Sequence, residues 1–490
     1  MRGIPIGGVL LLLALLYLRT LAPGITWANN GSDSGDLITA VLTGGVPHPS
    51  GYPTYLLGAS LLSRVPIGTP AQRITLLSAL AALLTVALVA VLVQRILRPT
   101  FAHSRLPAAA AALAAGWLGV SPLFWSQAVI AEVYTLNALF VALLLLLLYR
   151  SLTCTTPASP ARALTEGGMV GLALGTHLTI VLPVLVWLGV AAATSPAERR
   201  GAALLGRAGG VLVGALVYVL LPLRAAALPP VNWGHAATWD GFWWVVSGQP
   251  YRGLLFGVPS ALLPDRVHAW ADLLVQQFGW PGVALALVGL LFAPPHAQRF
   301  GWLSAALAAG YSLFAIGYNT TDSHAYLLPV YLIVAVWVGL GTAQVWALLH
   351  QHAPRVAPAL LLVLVVFAGW SAWRTLPQVD AHYDTRATDF AEAVLASVPP
   401  DAIVTTSSDQ DTFALWYHHY GLAQRPDVVL VVAPLLSFEW YHTTLYATYS
   451  TLPWPAIGTP DWPAALAERT RRPLCHTDPL TPLHCTAPPP

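Results

Sequence analysis

The chain has 490 residues and a formal net charge of +2; 56% of its residues are hydrophobic and only 9% are charged. Soluble domains carry about 25% charged residues, so a soluble globular protein is excluded. The near-neutral balance also leaves no basic footprint for nucleic acid.

The apolar residues come in blocks long enough to cross a hydrocarbon core, which takes about 20 residues. In chain order the predicted spans are 4–22, 72–94, 107–123, 132–149, 167–180, 181–194, 206–223, 278–293, 302–318, 326–347 and 356–373. Many of the 19 Trp sit at block ends, as an interfacial belt would place them. The first block follows Met1-Arg2, where a cleaved signal peptide is the alternative. Pro23 interrupts the cleavage pattern, so an uncleaved span is expected. The fifth and sixth spans come from one run, broken near Thr176-His177 or Pro183. The basic segments "QRILRPTFAHSR", "ERRGAALLGR", "HAQR" and "HQHAPR" share a side only if that run crosses twice. Short, broken helices are tolerated where protein or a cavity lines them.

The fold class expected is therefore an all-α polytopic membrane protein of about eleven helices, with a small C-terminal α/β domain. The spanning domain is residues 1–373 and the extracytoplasmic domain 374–490. The N-terminus is cytoplasmic, in the plasma membrane if the cell is bacterial. The outer face carries a first loop, 23–71, and a second, 224–277. In the tail, "AIVTTSS" and "DVVLVVAPLL" read as buried strands. "DQDTFALWYHHYG" reads as the helix between them, ended by Gly421. The Pro-rich last thirty residues read as irregular. Cys475 and Cys485 either pair, as an oxidising compartment allows, or stay free.

Acids are scarce, so their positions matter. Asp33 and Asp36 follow the first span, three apart and on one face if a helix starts there. One reading is capping of that helix. The other is a general base on an acceptor hydroxyl, with a divalent metal held by the pair as the less favoured variant. His48 and Tyr52 follow in "HPSGYPTY", as a turn and interfacial anchor or as substrate-binding groups. Glu132 and Tyr134 open the fourth span on the same side, where acids are rare and usually functional. Arg224 ends the seventh span against the positive-inside trend, either snorkelling or binding a lipid phosphate. Asp322 and His324 lie in another outer loop with Tyr326. His177, alone among apolar residues, reads as a packing residue.

These segments match one family in order. "DSGDLITA…HPSGYPTY", "FWSQAVIAEVYTLN", "PLRA…PVNWG…FWWVVSGQPY", "NTTDSHAYLLPVY" and the tail segment from "DQDTFALW" to "SFEWY" resemble its motifs over nearly the whole chain. The family is the large multi-spanning one, long of unknown function, whose animal members are protein O-mannosyltransferases. It belongs to the GT-C glycosyltransferases. The resemblance implies transfer of mannose or a similar hexose from a polyprenyl-phosphate carrier to a hydroxyl of an exported protein or glycan, with inversion. The partners implied are the bilayer, the lipid-linked donor and that acceptor. Asp36 stands where the family has Glu, one methylene shorter, which makes Asp33 the expected base. Ser50 replaces a Pro, and "SSDQDT" departs from the usual Gly-Asp-Asn. Two other readings stand beside this one. A transporter or flippase of lipid-linked intermediates expects polar groups at mid-membrane, whereas the acids cluster at one face. A scaffold that only presents the tail expects Asp33 and Asp36 to tolerate Asn.

Overall fold

The computed structural model describes residues 4–154, 156 and 158–487; Met1 and Arg2 lie outside them. The first half of the chain forms α1 (Ile4–Thr20), α2 (Ser34–Thr43), α3 (Pro53–Leu62), α4 (Pro70–Leu97), α5 (Leu106–Gly119), α6 (Pro122–Ala128), α7 (Tyr134–Thr153), α8 (Pro160–Leu174) and α9 (Val181–Thr194). There follow α10 (Ala197–Ala215), α11 (Leu220–Ala225), α12 (Trp239–Val246), α13 (Leu263–Leu291), α14 (Gln298–Gly317), α15 (Leu328–His352) and α16 (Ala357–Val379). The starts are written in the sequence. Thr69 accepts from the Gln72 amide and the Gln72 side chain accepts from the Thr69 amide, a capping box ahead of Pro70. α15 is apolar on all sides and buried without a break from Leu328 to Ala343, as a central helix must be. It touches α13 through glycines: a Cβ at Gly289 would lie 1.9 Å from the Trp337 carbonyl oxygen.

Every predicted span coincides with a helix, but the count of about eleven crossings is not reached on length and composition. Among the described residues seven helices are long and apolar enough to cross. An eighth forms if α5 and α6, bent by 69° at Ser121-Pro122, count together. The others fall short because α1, α8 and α9 have only 17, 15 and 14 residues. The 167–194 run breaks at Gly175–His177, between α8 and a 3-10 turn at Leu178–Ile180. The second loop is shorter than 224–277. α13 begins at Leu263, and its polar first turns, with Asp265, Arg266 and Asp272, hide it from a hydropathy reading.

The C-terminal unit comprises α17 (Arg386–Ser397), β1 (Ile403–Thr406), α18 (Asp409–Trp416), β2 (Val429–Val432), α19 (Glu439–Thr448), α20 (Trp462–Thr470), β3 (Leu474–Asp478) and β4 (Thr481–Thr486). The predicted strand–helix–strand is β1–α18–β2, with a π turn from Tyr417 to Gly421 closing the helix. Sheet order is β2-β1-β3-β4; β1 pairs in parallel with β2 and β3, and β3 antiparallel with β4. The stretch from Trp462 to Thr486 is therefore not irregular, being mostly α20, β3 and β4. Pro473 falls before β3, Pro479 in the β3–β4 turn and Pro482 at the second position of β4, and Cys475 and Cys485, opposite each other in the hairpin, form a disulfide.

The loops and this unit meet at one end of the bundle. The Asp384 carboxylate accepts from the Thr26 hydroxyl at 2.5 Å and from the amides of Trp27 and Ala28 at 3.0 and 2.7 Å. Burial works against its charge, but these bonds and Arg386 hold its pKa down to about 2. α18 lies so close to α2 that a Cβ at Gly35 would come 2.4 Å from the Phe413 carbonyl oxygen.

Candidate active site

Asp33 ends a 3-10 turn that starts at Ala28. Asn29 and Asn30 reverse the chain there with φ of 58° and 59°, a left-handed conformation that Asn tolerates better than most residues. The Asn29 amide group donates to the Val379 carbonyl and fixes the turn. Asp33 occupies the cap position of α2, but its side chain makes no capping bond. Asp36, in the first turn, has no exposure at all. Its Oδ2 accepts from the His48 amide at 2.9 Å and from His48 Nδ1 at 2.7 Å, and its Oδ1 accepts from Trp233 Nε1 at 3.1 Å. Neither acid is a cap.

His48 bridges the two. Its Nε2 lies 3.0 Å from the Tyr52 hydroxyl and 3.8 Å from Asp33 Oδ2. The Tyr52 hydroxyl donates to the Pro49 carbonyl, so its oxygen is free to accept from Nε2–H. Protons on both ring nitrogens, Nδ1–H to Asp36 and Nε2–H to Tyr52, would make the ring an imidazolium. Burial opposes that charge, but the Asp36 bond and the charges of Asp33 and Asp36 override it and push the His48 pKa up to about 9. Burial likewise pushes Asp33 up to about 6; His48 opposes the rise, while Asp409, Asp36 and Asp322 add to it. Burial raises Glu132 well above the usual carboxylate range.

A cavity of about 950 Å³ opens on this pair, within the range of small-molecule sites. Its polar lining includes Asp33, His48, Asp322, Arg252 and, from the C-terminal unit, Asp409 and Gln410. The apolar residues of the lining include Leu178, Leu182, Leu255, Phe256, Leu313 and Phe314. Tyr52, Tyr134, Tyr326 and His177 also line it, and their rings meet at centroid distances of 5.4 to 6.3 Å.

Of the nine residues singled out from the sequence, Asp33, His48, Tyr52, Tyr134 and Asp322 line the cavity. Asp36 lies directly behind it. Glu132 is buried outside the lining, its backbone pinned in both directions by the Ser78 hydroxyl. His324 faces a separate groove of about 450 Å³ beside Arg266 and Trp270. Arg224 is also elsewhere. Its guanidinium donates to the carbonyls of Ala40 and Gly45 and to the Ser60 hydroxyl, which clamps the C-terminus of α2. The arginine at the cavity is Arg252, which donates to Ser247 and is otherwise exposed. Sequence reasoning missed it, together with Trp233 and Asp409. Among the described residues no three His, Cys, Asp or Glu side chains converge as metal ligands.

Residues 33–199 match the family described as the Protein O-mannosyl-transferase TMEM260 N-terminal domain, and residues 387–461 match TMEM260-associated domain 2. Protein O-mannosyl-transferase TMEM260 of Mus musculus is 29% identical over 438 residues, covering 84% of this chain and 60% of that protein. The Dictyostelium discoideum protein of the same name is 22% identical, covering 90% and 58%. The chain thus spans about three fifths of the length of these curated relatives. Among solved structures, ArnT from Cupriavidus metallidurans bound to undecaprenyl phosphate superposes with a TM-score of 0.57 at 13% identity, over 94% of this chain and 96% of ArnT. Its apo form gives 0.51 at 15% identity, with the same coverage. At these identities the likeness is one of fold. Two segments of this integral membrane protein thus match models of the protein O-mannosyl-transferase TMEM260 family, and its fold is that of the solved ArnT structures.

Proposed function

We propose that the chain is a membrane glycosyltransferase that moves a hexose, mannose first among the candidates, from a polyprenyl-phosphate carrier to a hydroxyl of an exported protein. The observation that carries this reading is the mixed lining of the cavity, with acids and an arginine beside leucines and phenylalanines. A carboxylate tuned to about 6 shares the cavity with the polar groups His48, Asp322, Arg252 and Asp409, and the same lining includes enough leucine and phenylalanine side chains to receive part of a prenyl chain. ArnT, solved with undecaprenyl phosphate bound, supports a lipid-linked donor on this fold. The names of the relatives support a protein acceptor. The loop-bearing face is then the extracytoplasmic one.

In this mechanism Asp33 takes the proton of the acceptor hydroxyl. The freed oxygen attacks the anomeric carbon of the sugar as the bond from that carbon to the phosphate oxygen breaks. In-line displacement inverts the anomeric configuration, and the polyprenyl phosphate departs with the bonding pair. Arg252 and the His48 imidazolium are the cations at hand for the growing phosphate charge. Asp36 does not meet substrate; it keeps His48 protonated and in place.

The test is a panel of polyprenyl-phosphate sugars of known anomeric configuration, offered with a secreted protein rich in Ser and Thr, the product being analysed by NMR. Transfer of one of them to a hydroxyl with inversion is expected. Retention of configuration, or failure of every donor in the panel, would sink the reading.

A further inference from the structure

Asp36 is fully buried, so the hold on its two oxygens decides where His48 sits. The first loop supplies only one side of that hold, through the His48 amide and Nδ1 on Oδ2. The other oxygen is held by Trp233, which belongs to the segment between α11 and α12. That segment is docked beside His48 by a short parallel bridge between Val46 and Asn232: Val46 donates to the Val231 carbonyl and Trp233 to the Val46 carbonyl. The rest of the Trp233 ring is held by the C-terminal unit. Trp440, Trp416 and Phe413 pack around it at centroid distances of 5.7, 6.3 and 6.5 Å, and its edge meets the His48 ring at 6.4 Å. One indole thus touches the acid, the imidazolium and the far end of the chain.

We propose that Trp233 is a positioning residue through which the docked C-terminal unit sets the geometry of the Asp36–His48 pair. An indole whose only role was to fill space would need no polar partner, and a ring of similar shape would serve. Here the N–H meets a charged oxygen that has no other donor among the described residues, and a buried charged acceptor left without its donor is destabilised. Freed at Oδ1, the Asp36 carboxylate can turn, and the bond that keeps His48 protonated weakens. The other titratable groups facing His48 are Asp33 and Tyr52 on the first loop, Glu132 before α7, His177 at the α8–α9 break and Asp409 on α18. None of them contacts Trp233 through a hydrogen bond.

The kinetic arm of the test rests on the transferase reading; a spectroscopic arm does not. The full-length protein is prepared as wild type, Trp233→Phe, Trp440→Leu and the double variant, and the His48 imidazole is titrated by NMR. In both single variants His48 is expected to titrate at lower pH than in the wild type. Turnover, kcat, should fall by about 10- to 100-fold in Trp233→Phe, the worth of a hydrogen bond to a charged group, with the donor KM held within about twofold. The double variant should be no slower than Trp233→Phe, because both changes act through one bond. A wild-type titration in Trp233→Phe, or losses that add in the double variant, would overturn the proposal. If Trp233→Phe does not fold, Trp440→Leu carries the test, since it keeps the indole and loosens only its support. If the wild type transfers no sugar, the transferase reading fails, and the His48 titration still decides the role of Trp233.

Discussion

A carboxylate that takes a proton from an alcohol near neutral pH must be ionised and yet retain basicity. Asp33, pushed up to about 6 by burial, meets both needs. As the proposed base it would work deprotonated, so kcat/KM should rise with pH through about 6. His48 works protonated and loses its proton near 9, so the rate should fall again above that pH. A pH–rate profile of the free enzyme reads both limbs, and His48→Gln should lose the alkaline one; a flat profile from 5 to 10 would contradict both assignments. Arg252→Gln should weaken donor binding and slow release of polyprenyl phosphate by about tenfold or more, the scale of a charge-assisted contact. The same loss in Arg224→Gln, with Arg252→Gln silent, would return the phosphate to Arg224. The acids were legible in the sequence because a charge at a membrane edge is rare. Arg252 was not, since one arginine among Gly, Pro and Tyr in a long connection carries no periodicity. Trp233 was hidden by its own kind: in a Trp-rich loop each indole reads as an interfacial anchor, and nothing local marks the one that holds a carboxylate.

At the scale of elements, the first loop is a helix–turn–helix wedge rather than a strap. α2 presents Asp36, the turn presents His48, and α3 returns the chain to the bundle. Arg224 closes the wedge by satisfying carbonyls at the C-terminus of α2. Arg224→Met should therefore lower Tm while leaving the donor KM unchanged, which thermal melts and steady-state kinetics separate; a raised KM at unchanged Tm would count against the clamp. Gly35 is the contact point with the C-terminal unit. Gly35→Leu puts a side chain where even a Cβ would sit 2.4 Å from the Phe413 carbonyl oxygen. The unit must then shift, and the variant should lose activity and expose the 380s connection to protease; wild-type behaviour would mean that the close approach is dispensable. The long helices and the β1–α18–β2 unit were legible because burial imposes periodicity and length. Two misses have physical causes. The opening turns of α13 carry Asp265, Arg266 and Asp272, so hydropathy does not report helix there. The β3–β4 hairpin was masked by prolines, which sit before β3, in the turn and near the start of β4, positions that strands tolerate better than their middle.

Across the whole molecule, three segments far apart in sequence converge on one end of the bundle: the first loop, the connection around Trp233 and the C-terminal unit. The order of the motifs was visible in the sequence. Their convergence was not, because it depends on tertiary contacts such as Asp384 with the 26–28 backbone. The disulfide should matter to this arrangement through the stability of the sheet. Closing a loop of about ten residues contributes about 2–3 kcal/mol in the chain-entropy account. Cys475→Ser with Cys485→Ser should lower the stability of the C-terminal unit by that order, and unchanged melting would show the hairpin to be held by its ladder alone. Asp33 as the base of a sugar transfer at this cavity is tested most directly by comparing wild type with Asp33→Asn. The assay is a single turnover with saturating polyprenyl-phosphate mannose at a pH of about 7.5, well above the point where Asp33 ionises. The donor is expected to bind as in the wild type while transfer slows by about 10²- to 10⁴-fold. Transfer at the wild-type rate would contradict the assignment.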